Sequence, residues 1–351
     1  MQVKIIDPSK DERWDEFVGN HSEGTVFHLS NWARVLQKTY GYVPYYFIVE
    51  DSDKKIKAGC PFFLIKSWLT GNRLVCLPFT DSCFPLVTSD EDIGTLLHAA
   101  LQVGREKKAS YIEVRSSPKE GTLKSLHLSI HNYYETFILQ LSQGIESIRR
   151  SLSPMVIRYA VKRIEKSPVK IRTTESEKDM NQFYELNLST RRKHGVPSQP
   201  YELFKNIWKE IILKKLGILL FAEYHKSPIA GSLFFVYKGT IHYKFNASNA
   251  DYLKCRPNHL LLWHTIQQSC YNGLKYLDLG RASPDNQGLI RFKRLWGANE
   301  IELPYYYWPT VKGITSTEEK DVKYRMITSV MRRMPTTISR VAGKLLYKHL
   351  G

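Results

Sequence analysis

The residues Tyr276-Leu277-Asp278-Leu279-Gly280-Arg281-Ala282-Ser283-Pro284-Asp285-Asn286, continued by Gln287-Gly288-Leu289-Ile290-Arg291-Phe292-Lys293-Arg294-Leu295-Trp296-Gly297, read as a strand, a turn and a helix. Tyr276 to Leu279 is a short apolar run, which predicts a buried strand. Gly280 ends it, and Ser283-Pro284-Asp285-Asn286 is turn chemistry. A helix is expected next, with Leu289, Phe292, Leu295 and Trp296 on one face. Gly297 stands where a C-terminal cap belongs. In an α/β sheet, ligands gather beyond the carboxyl ends of strands. Gly280-Arg281 is such an end, and Lys293 lies beside the apolar stripe of the following helix.

The same pattern occurs earlier in the chain. Tyr111-Ile112-Glu113-Val114 matches Tyr276-Leu277-Asp278-Leu279, each with a helix before it and Ser-Pro soon after. Ala58-Gly59-Cys60-Pro61-Phe62-Phe63 matches Ala230-Gly231-Ser232-Leu233-Phe234-Phe235, each preceded by a strand ending in an acid, Glu50 or Glu223. Two matches in the same order and at nearly the same offset indicate a duplicated domain. Each copy reads β-α-α-β-β-β-α-β, which suits a mixed α/β sheet with helices on its faces. The expected domains are 1–145 and 146–310, followed by a basic helical tail, 311–351. Expected helices include 11–18, 30–40, with Ser30 as N-cap, 94–106, a basic one at 153–166, 177–190, 202–214 and 258–271.

The 351 residues exceed one ordinary core, as two domains require. Hydrophobic content of 42% with 24% charged residues is globular. A net charge of +17 favours an anionic partner: nucleic acid, lipid head groups or a phosphorylated substrate. Cys60, Cys76, Cys83, Cys255 and Cys270 form no CxxC pair, so a disulfide framework or zinc site is not expected. The N-terminus shows no signal segment, and no apolar run reaches the roughly 20 residues that span a bilayer. The expected location is cytoplasmic, peripheral at the inner face of the membrane if the tail binds there.

The order A-G-x-x-F-F, then Y-L-D-L-G, then G-L-x-x-F-K resembles the Fem-type peptidyltransferase branch of the GNAT acyltransferase superfamily, including its exopolysaccharide-associated members. Phe27-His28-Leu29-Ser30-Asn31-Trp32-Ala33-Arg34 resembles the family's entry helix, and Arg332-Arg333-Met334-Pro335 its basic tail. The resemblance spans nearly the whole chain. It implies tandem duplicated GNAT-like acyl-CoA N-acyltransferase domains with the acceptor cleft between them. It also implies that Lys293 supports the transition state, and that Arg34, Tyr243 and Phe245 contact substrate. Two positions depart from the family pattern and bear on the acceptor. Phe245 stands where members have a tyrosine, and Gln199 where they have an arginine.

Acyl transfer to an amine needs a positioned acceptor, a proton acceptor and donors for the oxyanion. Lys293 could stabilise the oxyanion or hold an acceptor phosphate, or be an ordinary helix lysine. Asp278 could act as base or cap a neighbouring backbone group. Arg281 is placed to bind phosphate or carboxylate, or to form a surface ion pair. Arg256, in Lys254-Cys255-Arg256-Pro257-Asn258-His259, stands where a CoA-binding loop would lie, without that loop's glycines. No His or Cys spacing indicates a metal.

The expected donor is aminoacyl-tRNA or acyl-CoA, and the expected acceptor an amine of a peptidoglycan or exopolysaccharide precursor. A second reading is acyl-CoA-dependent N-acetylation of a nucleotide- or lipid-linked sugar. A third, from charge alone, is a non-catalytic nucleic-acid-binding protein. From residue 323 the tail alternates apolar and basic residues. Met326, Val330, Met334, Val341, Leu345 and Leu346 recur near helical spacing, among Arg325, Arg332, Arg333, Arg340, Lys344 and Lys348. Such a helix suits an anionic membrane surface through 323–351, or packs on the protein with a solvated basic face.

Overall fold

The computed structural model describes residues 2–115, 126, 128–154, 161, 168–309, 332 and 336–349. The chain divides into two compact units. One comprises Met1–Tyr134, Glu302–Ser316 and Leu345–Gly351; the other comprises Glu135–Ile301 and Thr317–Lys344. The expected division falls at residue 145, with the tail apart. In the structure each unit is assembled from separate segments.

The first unit contains β1 (Val3–Ile6), α1 (Arg13–Asn20), α2 (Ser30–Tyr40), β2 (Val43–Glu50), β3 (Ile56–Ile65), β4 (Asn72–Val75), α3 (Asp90–Glu106) and β5 (Ala109–Arg115). Its sixth strand comes from the far end of the sequence, β12 (Asn299–Trp308) from Glu302 onward. The strand order is β1-β2-β3-β4-β5-β12, with only β4 and β5 parallel.

The second unit begins within β6 (Ser129–Gln140), at Glu135, and continues through α4 (Ile145–Ser151) and β7 (Lys170–Thr174). It goes on with α5 (Glu177–His194), α6 (Tyr201–Ile207), β8 (Gly217–Tyr224), β9 (Ser227–Tyr237) and β10 (Thr240–Ser248). After a 3-10 turn at Ala250–Cys255 come α7 (Pro257–Tyr271), β11 (Tyr276–Ala282) and α8 (Gln287–Leu295). The strand order is β7-β8-β9-β10-β11-β6, again with one parallel pair, β10 and β11. Strand for strand this is the first unit's topology, so the duplication is present. Strands β3 and β9 hold equivalent places.

The repeated Ala-Gly has a packing cause. A Cβ at Gly59 would lie 2.5 Å from the Trp14 ring on α1, and one at Gly231 would lie 2.7 Å from the Phe183 ring on α5. In each copy, an aromatic side chain from the first helix rests directly on the third strand's backbone. Any larger residue would displace it.

Other boundaries shift by a few residues. Ser30 is the first helical residue of α2 and not its cap. Its backbone N–H donates to Asp15 Oδ1 at 2.7 Å, so Asp15 from α1 satisfies the first N–H of the helix. The expected helix at 202–214 ends its α-helical part at Ile207 and continues as a π turn, Trp208–Ile212. Gly297 lies beyond α8 with φ 74°, and its N–H reaches the Arg294 carbonyl at 3.0 Å. This is the expected left-handed stop. The basic helix expected at 153–166 lies outside the described residues except for Ser153, Pro154 and Val161.

Of the tail, α9 (Thr336–Tyr347) is described, while Arg325, Met326, Val330, Arg333 and Met334 are not. Its docking face is small: a Cβ on Gly343 would lie 1.8 Å from the Ser198 carbonyl oxygen. Arg340 pairs with Glu185 at 2.6 Å and covers the Tyr184 ring, and Lys344 pairs with Glu202 at 2.8 Å. Those two basic residues therefore bind the protein. Ile338, Val341 and Leu345 are exposed.

Candidate functional site

The two parallel strands of the second unit pair over a short length. Thr240 faces Tyr276, Ile241 faces Leu277, and His242 faces Asp278. Beyond that pair they part. β10 stays hydrogen-bonded to β9 as far as Ser248, and β11 stays on β6 as far as Ala282. A wedge opens between them at their carboxyl ends, the place where α/β sheets receive ligands.

His242 and Asp278 stand at the vertex. His242 Nδ1 lies 3.0 Å from Asp278 Oδ2, and both side chains are nearly buried. The other carboxylate oxygen, Oδ1, accepts the Gly280 N–H at 2.7 Å, and Thr136 Oγ1 approaches it at 3.4 Å. The carboxylate is thus fixed at both oxygens. With a carboxylate as its acceptor, Nδ1 carries the imidazole proton and Nε2 keeps the lone pair. That is the arrangement a general base requires.

One arm of the wedge is shaped by Gly280 and Lys293. The β11–β6 register breaks between Asp278 and Arg281, and Gly280 adopts φ 75°. Only glycine takes that conformation without strain. Lys293 on α8 is 3% exposed. Its Nζ donates to the Gly280 carbonyl at 2.7 Å and the Arg281 carbonyl at 2.8 Å, and lies 4.9 Å from the Phe137 ring centre. Its ammonium holds the irregular strand end.

On the other arm, Tyr243 stacks on Phe234 with ring centres 5.0 Å apart. Burial pushes its hydroxyl pKa up, against a hydrogen bond to Ser232 that pulls it down. Phe245 packs against Phe204 of α6 at 5.3 Å. Past the end of β10, Arg256 sits in the left-handed region at φ 51°, just before Pro257 opens α7. A shallow recess of about 650 Å³ there is lined by Leu253, Lys254, Arg256, Pro257, Asn258 and His259. Its two cationic side chains lie at the positive end of a 15-residue helix. His259 itself faces the rings of Phe292 and Trp296. Burial, helped by Arg256, pulls its pKa down to about 4, so it is neutral at pH 7.

The first unit offers a direct contrast. Its parallel pair matches Val75 to Glu113 where the second matches His242 to Asp278. Glu113 is bound by the buried Arg115 at 2.6 Å. Arg115 also donates to the Thr80 carbonyl at 2.6 Å and the Leu77 carbonyl at 3.3 Å. The first copy's acid is thereby neutralised, and the loop after its fourth strand is tied over it. The second copy has Gly280 where the first has Arg115.

The residues singled out from the sequence separate as follows. Asp278, Arg281 and Lys293 meet at the end of β11. Tyr243 and Phe245 lie along β10, and Arg256 at the start of α7. Arg34 belongs to the first unit, on α2, with Nη1 donating to Ser30 Oγ at 2.9 Å. His242 was not foreseen. The signal that could have found it is alignment of the two copies, which sets a histidine against Val75. Among the described residues no group of three or more His, Cys, Asp or Glu is placed to hold a metal. No helix there is long and apolar enough to cross a membrane.

Residues 155–294 match the family described as an acetyltransferase (GNAT) domain, a span confined to the second unit. No curated protein matches the chain. Among solved structures, that of FemX is similar at 16% identity, covering 87% of this chain and 97% of that one, with a TM-score of 0.69. L-PGS from Bacillus licheniformis is similar at 14% identity over 97% of this chain and 99% of that one, with a TM-score of 0.57. A tandem GNAT protein from the clavulanic acid biosynthesis pathway is similar at 8% identity over 87% and 97%, with a TM-score of 0.53. The fold is that of the tandem GNAT acyltransferases.

Proposed function

We propose that this protein is an N-acyltransferase that moves an aminoacyl or acyl group onto an amine of a cell-envelope glycan precursor, with the chemistry at the β10–β11 wedge. The observation that carries this is the His242–Asp278 pair at the vertex of the copy whose wedge is not closed by an arginine. The acceptor amine attacks the acyl carbonyl, and a C–N bond forms. The amine proton passes to His242 Nε2 and then to the leaving sulfur of an acyl-CoA or the leaving ribose oxygen of a charged tRNA, as the C–S or C–O bond breaks. Asp278 fixes the imidazole tautomer and steadies the imidazolium.

Lys293 is a positioning residue in this scheme, because its ammonium holds the strand end that carries Asp278. The recess at Arg256 and Lys254 suits the donor's phosphates, which gives specific support to acyl-CoA as donor and so to the second reading, N-acetylation of a nucleotide- or lipid-linked sugar. Tyr243, Phe245 and Arg281 are assigned to substrate contact at the wedge. As further partners we propose tRNA, for the aminoacyl reading, and an anionic membrane surface met by the tail's exposed Arg332, Val341, Leu345 and Lys348, which would place the enzyme at the inner face of the membrane.

The test is to incubate the protein with charged tRNA or acyl-CoA and a panel of amine-bearing muramyl and exopolysaccharide precursors, then read the mass of the acceptor. An acyl increment on an amine is expected. No increment with any donor and acceptor pair would count against the reading.

A further inference from the structure

Away from the wedge, one edge of the first unit is built in an unusual way. The turn between β3 and β4 presents Trp68 86% exposed and Leu69 51% exposed. An indole so exposed offers an apolar body and one N–H donor to a partner surface. The turn is firmly held. Ser67 Oγ accepts the backbone N–H groups of Leu69 and Thr70, at 3.2 and 2.9 Å. The chain end folds against it: the His349 ring meets Trp68 at 5.6 Å and Ser67 Oγ at 3.0 Å, and the His349 carbonyl accepts from Thr70 Oγ1 at 3.1 Å and from Arg73. The pair of apolar side chains is therefore held outward by a fixed scaffold.

Charge surrounds it. Lys66 precedes the turn and Lys348 precedes His349. Asn72, just after the turn, donates to the Lys107 carbonyl at 3.1 Å, which brings Lys107 and Lys108 to the same edge. All four lysines are exposed. None of the four ammonium groups has an acidic partner among the described residues. The carboxylate on this edge, Glu106, accepts from Gln102 at 3.0 Å.

We propose that this edge is a docking surface for an anionic lipid bilayer, with Trp68 and Leu69 entering the interface and Lys66, Lys107, Lys108 and Lys348 meeting the head groups. An indole suits the boundary between head groups and acyl chains, having an apolar body and one N–H donor. Lysines near a negatively charged leaflet each strengthen binding by about fivefold. A protein partner with an acidic groove would use the lysines but gives no reason for a rigid, outward Trp-Leu pair among them. The surface lies wholly in the first unit and is independent of the acyl chemistry.

The experiment is co-sedimentation of the full chain with phosphatidylcholine vesicles, with and without phosphatidylglycerol. The protein should bind the anionic vesicles, weaken as salt rises, and leave pure phosphatidylcholine largely unbound. Trp68→Ser with Leu69→Ser should reduce binding at least tenfold, with an unchanged melting midpoint showing that the fold is intact. Lys66→Glu with Lys107→Glu should weaken binding and flatten its salt dependence. Val341→Ser with Leu345→Ser separates this surface from the helix α9. If only that pair lowers binding, the turn is not the contact. Equal binding by the Trp68/Leu69 variant, or no binding to anionic vesicles, would overturn the proposal.

Discussion

At Lys293 a buried ammonium is held by two carbonyls and a ring. Removing it leaves the Gly280 and Arg281 carbonyls short of a donor, at a cost of about 1–3 kcal/mol for such a group. Lys293→Ala should therefore lower both unfolding free energy and turnover. Lys293→Arg should not restore them, since a planar guanidinium cannot sit where the compact ammonium does. His242→Gln should behave differently, lowering turnover by roughly 10²–10⁴ with stability nearly unchanged. Urea unfolding beside steady-state kinetics separates the two. Asp278 was legible in the sequence because its strand recurs as Tyr111-Ile112-Glu113-Val114. His242 was not, because parallel pairing brings it to Asp278 across 36 residues and no local spacing records that. The carbonyl partners of Lys293 were equally hidden, since they depend on the positive φ of Gly280.

Elements are legible where hydrophobic period and turn chemistry agree, as in β3, β9, α2 and α7. Their ends are not legible where a neighbour supplies the end group. Ser30 looks like a cap, yet Asp15 from α1 takes that place. The tail helix was legible as amphipathic, but not which side docks, because contact is made through Gly343 and not through the apolar stripe. Gly343→Ala should detach α9, seen as faster proteolysis at its start and a lower melting midpoint, while Val341→Ala should leave both unchanged.

A second element carries a pH dependence. His28 follows the Thr25 turn that leads into α2. Its Nδ1 accepts from the Thr25 N–H at 3.2 Å, and its Nε2 donates to the Phe84 carbonyl at 2.9 Å. Burial, opposed by that Phe84 contact, pulls its pKa down to about 4. The unfolded chain takes up the proton near the ordinary value of about 6.5, so between those values the unfolded state binds more protons. Stability should fall as pH drops from about 6.5 toward 4. His28→Gln should be less stable at pH 7 yet lose less over that range, measured by urea unfolding at each end.

For the whole molecule, duplication was visible in two short matches, and the topology repeats strand for strand. The assembly of each unit from separate segments was not visible, because a closing strand contributed from far along the chain leaves no local pattern. β12 completes the first unit from Glu302 onward, pairing Tyr305 to Trp308 with β5. A chain ending at Ala298 should thus lose amide protection in β5, read by hydrogen exchange, although every residue of 1–134 is present. The charge of +17 was likewise legible as a total and silent on placement. Some of it is committed to pairs such as Arg340–Glu185, and some gathers beside Trp68.

In the proposed reaction His242, oriented by Asp278, accepts the proton of the amine being acylated in the wedge of the second unit. The most direct measurement is a single-turnover assay of amide formation, comparing wild type with His242→Gln at saturating donor and acceptor, with folding checked by circular dichroism. The variant should bind the donor with similar affinity and form the amide at least about 10²-fold more slowly, the lower end of what one positioned base contributes. Amide formation at the wild-type rate in folded His242→Gln protein would contradict it.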